Sequence, residues 1–180
     1  IGMLTLAIGQ EDNIFQSAKM TASAGVLSIQ TDRQPLAGEK NYSVQARIKG
    51  CSFGLVNPSF RYNQKINKSS SIWFDGNYFR ADGQYTFPLR NGSLVTKEKR
   101  YNSDIESCFS ELNFLYQPHD STFLALKAYY FDSERGLPGN VILYQTGNDE
   151  RLWDKNFFIQ GQFTRHFSPL LALKSQMKYN

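Results

Sequence analysis

Seven stretches of this chain alternate apolar and polar residues one for one. That period of two constrains the fold more than any other feature, because only a β-strand sends successive side chains to opposite sides. In residues 41–49, Tyr42, Val44, Ala46 and Ile48 fall on one side, and Ser43, Gln45, Arg47 and Lys49 on the other. Residues 54–64 set Val56, Pro58, Phe60 and Tyr62 against Asn57, Ser59, Arg61 and Asn63. Pro58 has no N–H to give a ladder, so a bulge or weak point is expected there. Residues 71–81 set Ile72, Phe74, Gly76 and Tyr78 against Asp75 and Asn77. Residues 107–117 set Cys108, Leu112, Phe114 and Tyr116 against Ser107, Glu111, Asn113 and Gln117, with Phe109 an exception. Residues 122–132 place Leu124, Leu126, Ala128 and Tyr130 opposite Lys127, a side that also holds Phe123 and Tyr129. Residues 156–167 set Phe157, Ile159, Gly161 and Phe163 against Gln160, Gln162, Thr164 and His166. Residues 171–179 end the series, with Leu171, Leu173, Met177 and Tyr179 against Lys174, Gln176 and Lys178.

The connections alternate in length. Residues 65–70, 118–121 and 168–169 are short polar turns, whereas 82–106 and 133–155 are long; residues 50–53 are a short link where the alternation asks for a long one. Strands that rise, cross a long loop, descend and turn tightly follow the pattern of transmembrane β-barrels. About ten tilted residues cross the hydrocarbon layer, and sheet closure satisfies the backbone groups that lipid cannot. Tyr42, Tyr62, Tyr78, Tyr116, Tyr130 and Tyr179 sit at strand ends, where interfacial girdles lie.

Composition excludes other classes. Mean hydropathy is −0.46 and no apolar run approaches the ~20 residues of a membrane helix. The net charge of +4 is spread along the chain, with Lys97, Glu98, Lys99 and Arg100 its densest knot, so no nucleic-acid partner is expected. Cys51 and Cys108 are too few for a disulfide framework and lack metal spacing; they read as structural residues, with pairing in an oxidising compartment the alternative. His119 and His166 read as surface residues. No nucleophile elbow, phosphate-cradling loop or zinc-protease motif appears, and no enzyme is expected. No secretory signal is visible, and the alternation simply stops at Tyr179, so the chain reads as an internal piece of a longer polypeptide.

The first segment is different. Residues 2–9 read as a short strand, followed by a loop with Asn13, Phe15 and Gln16, then Ala22-Ser23-Ala24-Gly25 running into Val26-Leu27-Ser28-Ile29-Gln30-Thr31 and a linker with Asp32, Arg33 and Pro35. This order resembles the end of the plug domain in TonB-dependent outer-membrane receptors, whose Gly-Val-x-x-Ile-x-Thr strand is matched by Gly25 to Thr31. The stretches Ser133-Glu134-Arg135-Gly136-Leu137-Pro138-Gly139 and Arg151-Leu152-Trp153-Asp154-Lys155-Asn156-Phe157-Phe158 are similar to a loop of such receptors, including cobalamin importers. The resemblance implies an all-β chain: a plug end and linker over 1–38, then about seven strands of a larger, partial transmembrane antiparallel barrel over 39–180. It also implies the outer membrane of a Gram-negative bacterium, surrounding lipid, a TonB energy-coupling complex contacted through a preceding region, and import of cobalamin or an iron chelate.

Candidate site residues follow from this scheme. Arg47, Asn57, Asp75, Glu111 and Lys127 are expected to face an aqueous lumen. Tyr85, Phe87, Arg135, Tyr144, Arg151 and Trp153, on the long loops, are expected to stack on or hydrogen-bond a bulky small-molecule ligand. Asp149, Glu150 and Asp154 offer hard oxygen donors for a calcium ion; no other cofactor is expected. The competing reading is a soluble or surface β-sandwich that binds carbohydrate through its aromatic residues. A complete small barrel is a third, opposed by the odd strand count.

Overall fold

The computed structural model describes residues 3–8, 25–30, 41–141 and 148–180. It divides into two units, Ile1–Glu39 and Lys40–Asn180. In the first, strands β1 (Met3–Ile8) and β2 (Gly25–Gln30) pair antiparallel, Met3 opposite Gln30 and Ile8 opposite Gly25. The expectations on Asn13, Phe15, Gln16, Ala22 to Ala24, the 31–35 linker and Tyr144 lie outside the described residues.

The second unit holds one seven-stranded antiparallel sheet. Its strands are β3 (Tyr42–Cys51), β4 (Leu55–Lys65), β5 (Ser70–Ala81), β8 (Ile105–His119), β9 (Thr122–Gly136), β10 (Arg151–Ser168) and β11 (Leu171–Tyr179). They lie side by side in chain order, and the sheet is not closed: β3 and β11 are its edges. The seven alternating stretches thus all become strands. Between β5 and β8 the chain forms a separate hairpin, β6 (Thr86–Asn91) and β7 (Leu94–Lys99). Residues 82–106 are therefore not one long loop. The hairpin signal was present as Gly92-Ser93 between short apolar runs, and Gly92, first in the two-residue turn, takes the positive φ of 61° that such a turn requires.

The other long loop also shrinks. Strand β9 runs on to Gly136 and β10 starts at Arg151, so Ser133, Glu134, Arg135, Arg151, Leu152, Trp153 and Asp154 are ladder residues rather than loop residues. The apolar alternation stops at Tyr130 and Phe157, but backbone pairing does not need it. The polar extension is held by cross-strand ion pairs instead, Lys155 with Asp132 at 3.1 Å and Arg151 with Glu134 at 2.6 Å.

Pro58 produces no bulge. The β4–β5 register is the same on both sides of it, from Val56 opposite Arg80 to Ser59 opposite Asn77, but pairing lapses between them. The Asn57 side chain fills the gap: its amide donates to the Tyr78 carbonyl at 2.8 Å and to Asn77 Oδ1 at 3.1 Å. The weak point expected at Pro58 is real, and the adjacent side chain repairs it. Asn57→Ala should cost about 1 kcal/mol through the orphaned carbonyl, read as a lowered urea midpoint in detergent micelles. An unchanged midpoint would show the amide to be dispensable.

Candidate functional site

The register sorts the sheet into two faces. Following paired residues from strand to strand, Arg47, Asn57, Asp75, Glu111 and Lys127 all project from the same one. There Arg61 pairs with Asp75 at 2.5 Å, and Glu111 accepts from Asn113 at 2.7 Å and from Lys127 at 2.8 Å. The apparent exceptions to the alternation gather on this polar face. Phe109 meets Tyr129 edge-on, Tyr129 stacks on Phe158 at 4.8 Å, and Lys178 Nζ lies 4.4 Å from the Phe158 ring centre. Each ring is covered by the next, so the row is a rib across β8 to β11 rather than an open stacking surface.

The opposite face is apolar and unusually open. Val44, Ile48, Val56, Phe60, Leu112, Leu126, Phe157, Ile159, Leu173 and Met177 all lie on it, and each is 43–78% exposed. Enclosure is largely inverted: the one buried hydrophobic residue among the described residues, Leu115 at 6%, lies on the polar face with the buried Ser71, Asn113 and Ser133, while the buried Ser70 lies at the edge of the apolar face. Cys51 and Cys108 are free, exposed thiols.

The apolar belt has sharp margins. Above it stand Arg80 on β5, Glu106 on β8, Asp132 on β9 and Lys155 on β10; below it stand Gln64 on β4, Ser70 on β5, Thr122 on β9 and Arg165 on β10. Tyrosines reach from belt to margin: Tyr78 donates to Glu106 at 2.9 Å, Tyr130 to Asp132 at 2.8 Å and Tyr62 to Gln64 at 2.8 Å. The belt also runs obliquely. Ser70 lies one facing position below the level of Gln64, and Thr122 and Arg165 one position below the level of Ser70. The lower margin therefore drops about one residue per strand, and with ~3.3 Å per residue and ~4.8 Å between strands the belt crosses the strands at roughly 35° from their perpendicular.

The loop candidates separate. Trp153 and Arg151 rise from the apolar face and Arg135 and Asp154 from the polar one, all on strands. Arg151 is engaged throughout: Nε donates to Glu134, Nη2 to Asp104 at 2.7 Å, and Nη1 to Asn102 and Asp104 at 3.3 Å. Asn102, which sequence reasoning passed over, adopts a left-handed backbone (φ 51°), and its amide donates to the carbonyls of Asn148 at 2.6 Å and Glu150 at 2.7 Å. It fastens the base of connection 137–150, and its carbonyl approaches Gly136 so closely that a Cβ there would meet it at 2.3 Å. Asp149, Glu150 and Asp154 are not gathered, and among the described residues no group of three such donors converges. Tyr85 and Phe87 do come together, ring centres 5.9 Å apart, and Phe53 of the β3–β4 turn joins them 5.8 Å from Tyr85.

With this geometry in view, neither the family models nor the curated proteins compared with the chain give a match.

The hydrogen bond from Arg151 holds the Asp104 carboxyl below its ordinary value, against a smaller desolvation effect. A folded-state value below the unfolded one gives stabilisation that is complete above the unfolded value and is lost as pH falls through the folded one. Protection of connection 137–150 from proteolysis should therefore decline below about pH 4. Asp104→Asn should abolish this acid-side decline; a variant that keeps the full decline would place its cause elsewhere.

Proposed function

We propose that the sheet is part of a transmembrane β-barrel in the outer membrane of a Gram-negative bacterium, its apolar face against lipid and its polar face lining an aqueous lumen. The observation that carries this reading is the oblique apolar belt. Barrel strands tilt ~35–45° from the barrel axis, so a belt parallel to a membrane must cross them obliquely, stepping from one strand to the next. The belt's roughly 35° agrees with that tilt. Its width is four facing positions on β4, β5, β9 and β10 (Val56 to Tyr62, Ile72 to Tyr78, Leu124 to Tyr130, Phe157 to Phe163). From the first to the last of these residues that is about 20 Å along a strand and roughly 16 Å after tilting, which fits within the ~25 Å apolar band of outer-membrane barrels. Inverted enclosure and tyrosines at the belt margins support the same assignment.

Two further features fit. Turns 66–69, 120–121 and 169–170 share one end of the sheet, while connections 82–104 and 137–150 share the other with the short turn 52–54. Edges β3 and β11 run in the same direction, so an all-antiparallel cylinder takes an odd number of additional strands between them. We infer from the sequence resemblance that the activity is TonB-dependent import of a scarce nutrient, cobalamin first and an iron chelate second, and not catalysis. In that scheme β1 and β2 belong to the plug and the long-connection end faces the cell exterior. Arg47, Asn57, Asp75, Glu111 and Lys127 line the lumen.

A membrane barrel and a soluble sandwich differ in what Leu126 meets. Leu126→Arg should destabilise the protein in lipid vesicles by ~2–4 kcal/mol, with Gln162→Arg on the polar face, opposed by Ala125 and Gln176, nearly neutral. Expressed without detergent, the chain should not yield a cooperatively unfolding soluble monomer. Recovery of one would overturn the barrel and favour the sandwich.

A further inference from the structure

We propose that hairpin β6–β7 is a membrane-surface anchor: Arg90, Lys97 and Lys99 bind the phosphate groups of an anionic lipid leaflet, and the tip residues Leu94 and Val95 enter its headgroup layer. The inference rests on the barrel reading above and deepens it by giving the long-connection end a lipid partner. It starts from register. Directly opposed residues share a side, so Thr86 with Lys99, Pro88 with Lys97 and Arg90 with Val95 form one side of the ribbon. Phe87 with Glu98, Leu89 with Thr96 and Asn91 with Leu94 form the other. Exposure follows the same division. All six residues of the first side are exposed, whereas Phe87, Leu89, Thr96 and Glu98 on the second are half-buried and Thr96 Oγ1 is shielded from solvent. The ribbon leans on one side and presents the other.

The presented side holds three cations and no acid, since Glu98, the only carboxylate of the hairpin, stands opposite Phe87 on the sheltered side. Lys97 and Lys99 are two residues apart on one strand, about 7 Å, and Arg90 lies diagonally across from Lys97 at a similar spacing. Among the described residues none of the three has a carboxylate within ion-pair distance, whereas Arg61, Lys127, Arg151 and Lys155 of the sheet each have one at 2.5–3.1 Å. Like charges set side by side repel, and a layer of phosphates offsets that repulsion for all three together.

Two apolar features choose a lipid layer over a dissolved polyanion. At the tip, next to the Gly92-Ser93 turn, Leu94 and Val95 are 47% and 56% exposed, a pair that water leaves uncovered and the acyl boundary would cover. Beside Lys99, whose Nζ lies 5.7 Å from the centre of its ring, Tyr101 is 50% exposed, and tyrosine suits the level where hydrocarbon gives way to headgroups. The hairpin also turns off the line of the sheet. Its two arms leave β5 and β8 through left-handed residues, Gly83 at φ 59° and Asn102 at φ 51°, and β6 and β7 form a sheet of their own. Thr86 follows the belt-margin residue Arg80 by six positions and Lys99 precedes Glu106 by seven, so a ribbon ~20 Å long starts within reach of the headgroups at that margin.

The test uses the full chain carrying Cys51→Ser and Cys108→Ser, with a bimane label at Val95→Cys, in vesicles of phosphatidylcholine alone or mixed equally with phosphatidylglycerol. Lipid bearing a shallow nitroxide should quench the label at least twofold in the mixed vesicles, and far less in phosphatidylcholine alone or at high salt. Arg90→Gln, Lys97→Gln and Lys99→Gln combined should abolish the quenching with no fall in unfolding temperature, while Lys68→Gln, in a short turn at the other end of the sheet, should leave it intact. Equal quenching in neutral vesicles, a label unquenched in the mixed ones, or full quenching in the triple variant would each overturn the anchor. Binding of soluble tripolyphosphate by a chain whose label stays unquenched would assign the face to a dissolved polyanion instead. The same label at Leu126→Cys reads the barrel separately through deep nitroxide lipid: quenching there with none at Val95→Cys would end the anchor alone, and none at Leu126→Cys would end the barrel.

Discussion

Everything in the larger unit depends on what meets the apolar side of the sheet. Fully burying a Val, Leu, Ile, Phe or Met side chain contributes about 1.5–3 kcal/mol, and ten such residues on one face are roughly half exposed or more. Left in water, they forgo on the order of 10 kcal/mol, comparable to the whole net stability of an ordinary domain. Hydrogen bonding along the strands cannot replace that, because each net bond contributes only about 1 kcal/mol and the unfolded chain bonds to water as well. In the membrane reading proposed above, a hydrocarbon phase supplies the missing partner for a whole belt at once. Surface ion pairs such as Arg61 with Asp75 are minor by comparison, at about 0–1 kcal/mol each.

The polar side follows a different logic. Asp75, Glu111 and Lys127 are partly enclosed and satisfied by neighbours one strand away, which keeps charge tolerable on the more sheltered face. At the long-connection end, Arg151, Asp104, Glu134 and Asn102 join two connections that are distant in sequence into a single base. The strands thus carry three environments in turn along their length: a turn end, an apolar belt and a polar base from which the connections spring. Side chains at the far end can vary without disturbing the belt, because the backbone ladder between them is continuous from Arg151 opposite Gly136 to Arg165 opposite Thr122.

The period of two made the seven strands and their facing sets legible, because alternation is a local property of the chain and register only has to preserve it. Arg47, Asn57, Asp75, Glu111 and Lys127 were assigned to one side strand by strand, and pairing keeps them together. The ends of β8, β9 and β10 were not legible, since the one-for-one alternation lapses there, with Leu152 and Trp153 set among charged residues, and the strands are held by partners such as Asp132 and Lys155 that no local pattern announces. Hairpin β6–β7 was readable from Gly92-Ser93, but its apolar runs are short.

By itself, then, the sequence determined that this is an all-β chain with one greasy and one wet side, because side-chain alternation is written residue by residue. Only the tertiary structure decided that β5 pairs with β8 across the β6–β7 hairpin, that the belt steps obliquely from strand to strand, and that Phe53 meets Tyr85. Those outcomes depend on the relative register of strands and on turn geometry, which bring together residues far apart in the chain, and no short stretch of sequence contains them.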